Sequence, residues 1–174
     1  MLISGGAGEK LSDKELNIKI IRILDSAIKI EPTYNSAVMN GLSPLIKLKR
    51  YKEAIAAVKQ QIVIYPHDYN LYIKGGIIYM DYLNKKMEAI NFFNTAYKIT
   101  LIKGKKVVSD DLKIAFALIY FKGKQEAIKY LNRVSANYND TKSLDQIKVY
   151  KQMITNEKFD VKTNFKIFNN FSTI

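Results

Sequence analysis

The 174-residue chain contains no cysteine and a single histidine, His67. Without thiols, disulfides and thiolate metal sites are excluded, and cysteine usage carries no information on the redox compartment. A catalytic triad, a zinc site or a phosphate loop would each need residues the chain does not have. It lacks Cys, a second His and any Gly-x-x-x-x-Gly-Lys run. His67 itself lies in a Pro-His-Asp turn and reads as a solvated turn residue. No window approaches the roughly 18 uninterrupted apolar residues of a membrane-spanning helix. The start, MLISGGAGEK, lacks the basic and apolar regions of a secretory signal, and residues 1–11 read as a flexible, Gly-rich leader. If complete, the chain reads as cytoplasmic; a periplasmic or exported protein whose leader has been removed is the alternative. No catalytic residue, cofactor or metal is expected, and the chain reads as a non-enzyme.

Acidic residues are also scarce: 28 Lys+Arg stand against 16 Asp+Glu, a net charge of +12. A basic surface attracts nucleic acid, anionic membranes or acidic proteins. Ile, Lys, Asn and Tyr are abundant together, as an AT-rich bacterial coding sequence produces, so many lysines also read as solvated helix faces.

What the chain does have is repetition. Glu-Ala-Ile occurs three times, placing Ala54, Ala89 and Ala127 in one register with spacings of 35 and 38, and Pro32 and Pro66 are 34 apart. Period 3.6 dominates each unit. Tyr51, Ala54, Ile55, Val58, Ile62 and Val63 form one apolar stripe; Ala89, Ile90, Phe93, Ala96 and Tyr97 form a second; Ala127, Ile128, Leu131 and Val134 form a third. Each is preceded by another amphipathic segment, at 35–48, 69–83 and 109–121. Ser12-Asp-Lys-Glu15 reads as a capping box opening a helix over 12–30, and Ser109 as a cap followed by two carboxylates. A last helix runs from Asn139-Asp140 through Leu144, Ile147, Tyr150 and Ile154. About eight helices and no strand are expected. Pro44 falls inside one of them and predicts a bend or break; an exposed Asn40 carbonyl at the groove lip is the functional alternative. Glu53, Glu88 and Glu126 recur at one solvent-facing register and do not converge as an acid–base pair.

The spacing near 34, the paired helices, the Ala of the second helix and the terminal Pro resemble the tetratricopeptide repeat. The match is best over 69–101. There Tyr72, Gly76 and Tyr79 fall at signature positions of the first helix, and Ala89, Phe93 and Ala96 at those of the second. The resemblance implies an all-α, right-handed superhelical solenoid over about 12–156. It comprises a lone helix at 12–30, repeats at 35–66, 69–101 and 108–138, and a capping helix at 140–156. It further implies that first helices line a concave groove in which a partner's peptide or helix docks. The lining residues are then Met39 and Asn40, followed by Asn70, Ile73, Lys74 and Ile77, followed by Lys113, Phe116 and Tyr120. Ile73, Ile77 and Phe116 would supply apolar contacts; Lys74 and Lys113 would orient an acidic partner. The family's carboxylate clamp needs Lys and Asn where Met39 and Ser43 stand, so chaperone-tail binding is not implied.

Two other readings stay open. One is a basic solenoid binding nucleic acid or an anionic surface through Lys103, Lys105 and Lys106. The other is a structural subunit that self-associates. The tail, 157–174, holds Phe159, Phe165, Phe168 and Phe171 of the chain's eight Phe. It is expected to pack on the helices, or alternatively to dock on another chain.

Overall fold

The computed structural model describes residues 11–33, 35–102 and 107–159. Among them are eight helices: α1 (Asp13–Ile30), α2 (Asn35–Lys47), α3 (Tyr51–Ile64), α4 (Tyr69–Ile77), α5 (Lys86–Ile102), α6 (Val108–Lys122), α7 (Lys124–Ser135) and α8 (Thr141–Thr155). The fold is all-α, built from consecutive helix hairpins. The chain divides into two compact units, one ending at Ile64 and the other beginning at Tyr65.

In the first unit, Ser12 Oγ accepts from the Glu15 amide at 3.3 Å, and Glu15 Oε2 accepts from the Ser12 amide at 2.9 Å. This is the capping box that the sequence announces, and it satisfies two amides that the first turn leaves without partners. Asn17 and Ile21 are the buried positions of α1, which packs against α2. Pro44 does not break α2, which runs unbroken to Lys47 with the proline ring buried. The helix ends in a Schellman motif: the Arg50 amide donates to the Leu45 carbonyl at 2.8 Å and the Lys49 amide to Ile46 at 2.9 Å. Lys49 thereby takes the left-handed position, with φ 59°. Helix α3 buries Ala54, Ile55, Val58 and Gln61, whose amide donates to the Pro32 carbonyl at 3.3 Å. Val63, included in the apolar stripe, instead faces solvent.

In the second unit, Asp68 caps α4 by accepting from the Asn70 amide at 3.0 Å. Helix α4 then widens into a π turn over Ile78–Tyr82, closed by the Leu83 amide on the Ile78 carbonyl. Helix α5 folds back on α4, and Gly76 allows the approach. A Cβ placed at Gly76 would lie 2.6–2.9 Å from three ring carbons of Phe93. The edge of Tyr79 meets Phe92 at 5.2 Å, and Phe93 stacks on Tyr120 of α6 at 4.9 Å. Helix α6 contacts α5, α7 and α8, so Ile114 through Ile119 are all buried. A helix covered on several sides loses its polar face, which explains the near-continuous apolar run. It begins at Val108 with Val107 as N-cap; Ser109 is inside the helix and does not cap it, a correction to the sequence reading. Gly123, at φ +89°, alone connects α6 to α7. Helix α8 buries Ile147, Tyr150 and Ile154, while Leu144 is exposed.

The repeated triplet now has a physical content. Ala54, Ala89 and Ala127 are each 0% exposed, and small residues at such positions let paired helices pack closely. Their glutamate neighbours each pair with a base three residues away: Glu53 with Arg50 at 2.6 Å, Glu88 with Lys85 at 3.6 Å and Glu126 with Lys129 at 2.8 Å. These are solvent-side ion pairs along single helices, not a site.

Candidate partner-binding face

Helices α4 and α6 open consecutive hairpins of the second unit, and two tyrosine–aspartate hydrogen bonds tie them together. At their starts the Tyr69 hydroxyl donates to Asp110; farther along, the Tyr120 hydroxyl of α6 donates at 2.8 Å to Asp81, in the π turn that follows α4. The partners in the first tie are 41 residues apart, and those in the second 39. Lys74 and Lys113, also 39 apart, fall between the two ties at matching registers. Burial first, and the neighbouring Lys113 charge second, push the Lys74 ammonium below the ordinary lysine range. Asp68 partly opposes this shift. Among the described residues neither lysine has a hydrogen bond or an ion pair within 4 Å.

Several carboxylates of the second unit accept from other donors. Asp68 accepts from both the backbone and the side-chain amide of Asn70 at 3.0 Å. Asp111, 1% exposed, accepts from the Tyr130 hydroxyl and, at 2.7 Å, from Tyr138. Buried carboxylates need such donors, and α6 starts with two of them inside the fold. The sequence reading did not find this network. The signal was there: two adjacent aspartates opening a run that is otherwise apolar must be satisfied, and the chain's 12 tyrosines are the available neutral donors.

The expected groove residues separate into two groups. Asn70, Lys74, Lys113 and Tyr120 are half-buried on α4 and α6. Ile73, Ile77 and Phe116 are 7%, 2% and 1% exposed, so they pack the interior and present no open apolar surface to a partner. That corrects their assignment as contact residues. Tyr120 is itself fixed, stacked on Phe93 and edge-on to Phe116 at 5.3 Å. Met39 is half-buried and Asn40 exposed, both on α2 of the first unit. His67 is exposed in its turn. Lys103, Lys105 and Lys106, together with Phe165, Phe168 and Phe171, lie outside the described residues; Phe159 is buried, with Lys124 Nζ 5.2 Å above its ring. Among the described residues no cluster of three His, Cys, Asp or Glu is placed to hold a metal ion, and no helix is long and apolar enough to cross a membrane.

No protein-family model matches the chain, and no curated protein does. It is similar to several solved structures. With "MamA 41-end from Desulfovibrio magneticus RS-1" it shares 17% identity over 75% of this chain and 67% of that one, with a TM-score of 0.49. With "MamA RS-1 ArsTM double mutant" the values are 18%, 69%, 65% and 0.48, and with "MamA MSR-1 C2" they are 15%, 76%, 68% and 0.44. The chain thus spans just under two thirds of the "double mutant" chain, 65% of its length.

Proposed function

We propose that the protein is a non-enzymatic protein-binding module. In this reading an acidic segment of a partner lies across α4 and α6, with Lys74 and Lys113 as its anchors and Asn70 and Tyr120 beside them. The observation that supports it is the lysine pair, held between two tyrosine–aspartate ties without a carboxylate in ion-pair reach. A half-buried ammonium beside a second one is unfavourable alone, and an incoming carboxylate relieves both the desolvation and the repulsion. Complementary charge also sets orientation and speeds encounter. Met39 and Asn40 are proposed as further contacts on the first unit.

The test is selection from a random peptide library, followed by binding measurements on the selected sequences. Selected peptides should carry Asp or Glu, and the double reversal Lys74→Glu/Lys113→Glu should weaken them at least about tenfold, by the usual worth of a charge-assisted hydrogen bond. Peptides that bind the reversed protein as tightly as the native one would rule out this face.

A further inference from the structure

The second cationic cluster lies in the first unit. An open cleft of about 420 Å³ sits between the start of α1 and the end of α2, lined by Asp13, Lys14, Asn17, Lys47, Leu48 and Lys49. Exposed Lys14, Lys47 and Lys49, from two elements, line it together with exposed Asp13, a net charge of roughly +2. Lys14, Lys47 and Lys49 form no hydrogen bond or ion pair among the described residues. The nearby arginine is not available: Arg50 grips Glu53 with both prongs, at 2.7 and 2.6 Å.

Lys49 stands where the Schellman motif at the end of α2 favours glycine. A side chain there keeps the left-handed backbone strained, and such strain is tolerated most often where the side chain has a use. The capping box already occupies the first amides of α1, so the side chains and not the helix end define the cleft. Three point charges without a planar guanidinium suit a compact, multiply charged tetrahedral anion better than a flat carboxylate.

We propose that this cleft binds a phosphate group, carried on a small molecule or a lipid headgroup, through Lys14, Lys47 and Lys49. The site is separate from the α4–α6 face. The discriminating variant is Lys49→Gly in the full chain. It removes one ligand and also relieves the backbone, so it should raise the melting temperature in chloride by roughly 2–4 °C. The same variant should lose the extra stabilisation that inorganic phosphate gives the native protein over chloride at matched ionic strength. Glycerol phosphate, titrated calorimetrically, should bind about tenfold more weakly to it. Lys14→Met/Lys47→Met, which leaves the turn intact, should show the same loss of binding without the gain in stability. Lys142→Met, at an exposed position of α8, should behave as the native protein.

Vesicles of phosphatidylcholine with and without phosphatidic acid identify the source. Variant-sensitive vesicle capture without a glycerol phosphate response assigns a lipid headgroup, and the converse a soluble phosphomonoester. Three outcomes overturn the proposal: a phosphate effect no larger than that of chloride, a phosphate effect retained in full by Lys49→Gly, or a Lys49→Gly baseline that does not rise. Binding to DNA that is indifferent to both cleft variants, with no phosphate effect, would indicate diffuse attraction to the basic surface instead.

Discussion

Gly76→Ala sets two effects of opposite sign against each other, and the structure says which wins. On an open helix the substitution would stabilise by about 1 kcal/mol, since alanine is the better helix former. Here the new Cβ would sit 2.6, 2.7 and 2.9 Å from the Cε1, Cδ1 and Cζ of Phe93, closer than carbon atoms approach. The ring has little room to retreat. Phe93 is fully buried and stacked at 4.9 Å on Tyr120, whose hydroxyl is held by Asp81. Overpacking of this kind costs about 1–3 kcal/mol, and a ring backed by a second fixed ring belongs at or slightly beyond the upper end. The net expectation is destabilisation of about 2 kcal/mol, or a melting temperature lower by about 4–8 °C. Urea unfolding, followed by near-ultraviolet circular dichroism for the aromatic cluster, measures it. Phe93→Leu should be destabilising alone yet should absorb much of the alanine penalty in the double variant, with a coupling of about 1 kcal/mol or more. A Gly76→Ala protein as stable as the native one would show that α4 and α5 are not in the close contact described.

Two further outcomes follow from the buried polar and aromatic groups. Burial, and then the carboxylates of Asp110 and Asp111, raise Tyr69, Tyr130 and Tyr138 well above the ordinary tyrosine range. The folded protein therefore holds these protons after the unfolded chain has begun to release its own near pH 10, so stability is full below that pH and falls as pH rises beyond it. Tyr130→Phe should cost about 1–2 kcal/mol at neutral pH and make the alkaline fall shallower; an unchanged slope in urea midpoints between pH 8 and 11 would contradict the network. Phe159→Ala should lower stability by about 2–3 kcal/mol, because the ring is buried beneath Lys124, which also donates to the Asn156 carbonyl at 3.3 Å. A melting temperature within 1 °C of native would place Phe159 outside the core.

The helices were legible because their signals are local. A capping box at Ser12, an Asp at 140 accepting from the Ser143 amide, and alanines recurring at helix contacts depend on residues within a turn or two of each other. Where the sequence reading failed, the deciding interaction was between helices. Ser109 looked like a cap, but Val108 is already helical, and the two carboxylates after it answer to Tyr69, Tyr130 and Tyr138, as far as 41 residues away in sequence. The π turn at Ile78–Tyr82 has no periodic signature at all, since it inserts one residue into an otherwise regular stripe.

The same distinction explains what happened to the groove. A period of 3.6 shows that Ile73, Ile77 and Phe116 share registers, but it does not separate a stripe facing a ligand from one facing the next helix. Burial decides, and it assigns all three to the interior. Lys74 and Lys113 are half-buried rather than interior. An ammonium carries three donors and no acceptor, and at Lys74 part of the water that would satisfy them has been excluded. Asp68 accepts from Asn70, and Asp81, Asp110 and Asp111 accept from tyrosine hydroxyls, whereas Lys74 makes no hydrogen bond among the described residues. A face built only for packing would have placed an apolar residue at position 74, at no desolvation cost. On the proposed reading, an acidic partner would bring the acceptors that these lysine donors lack.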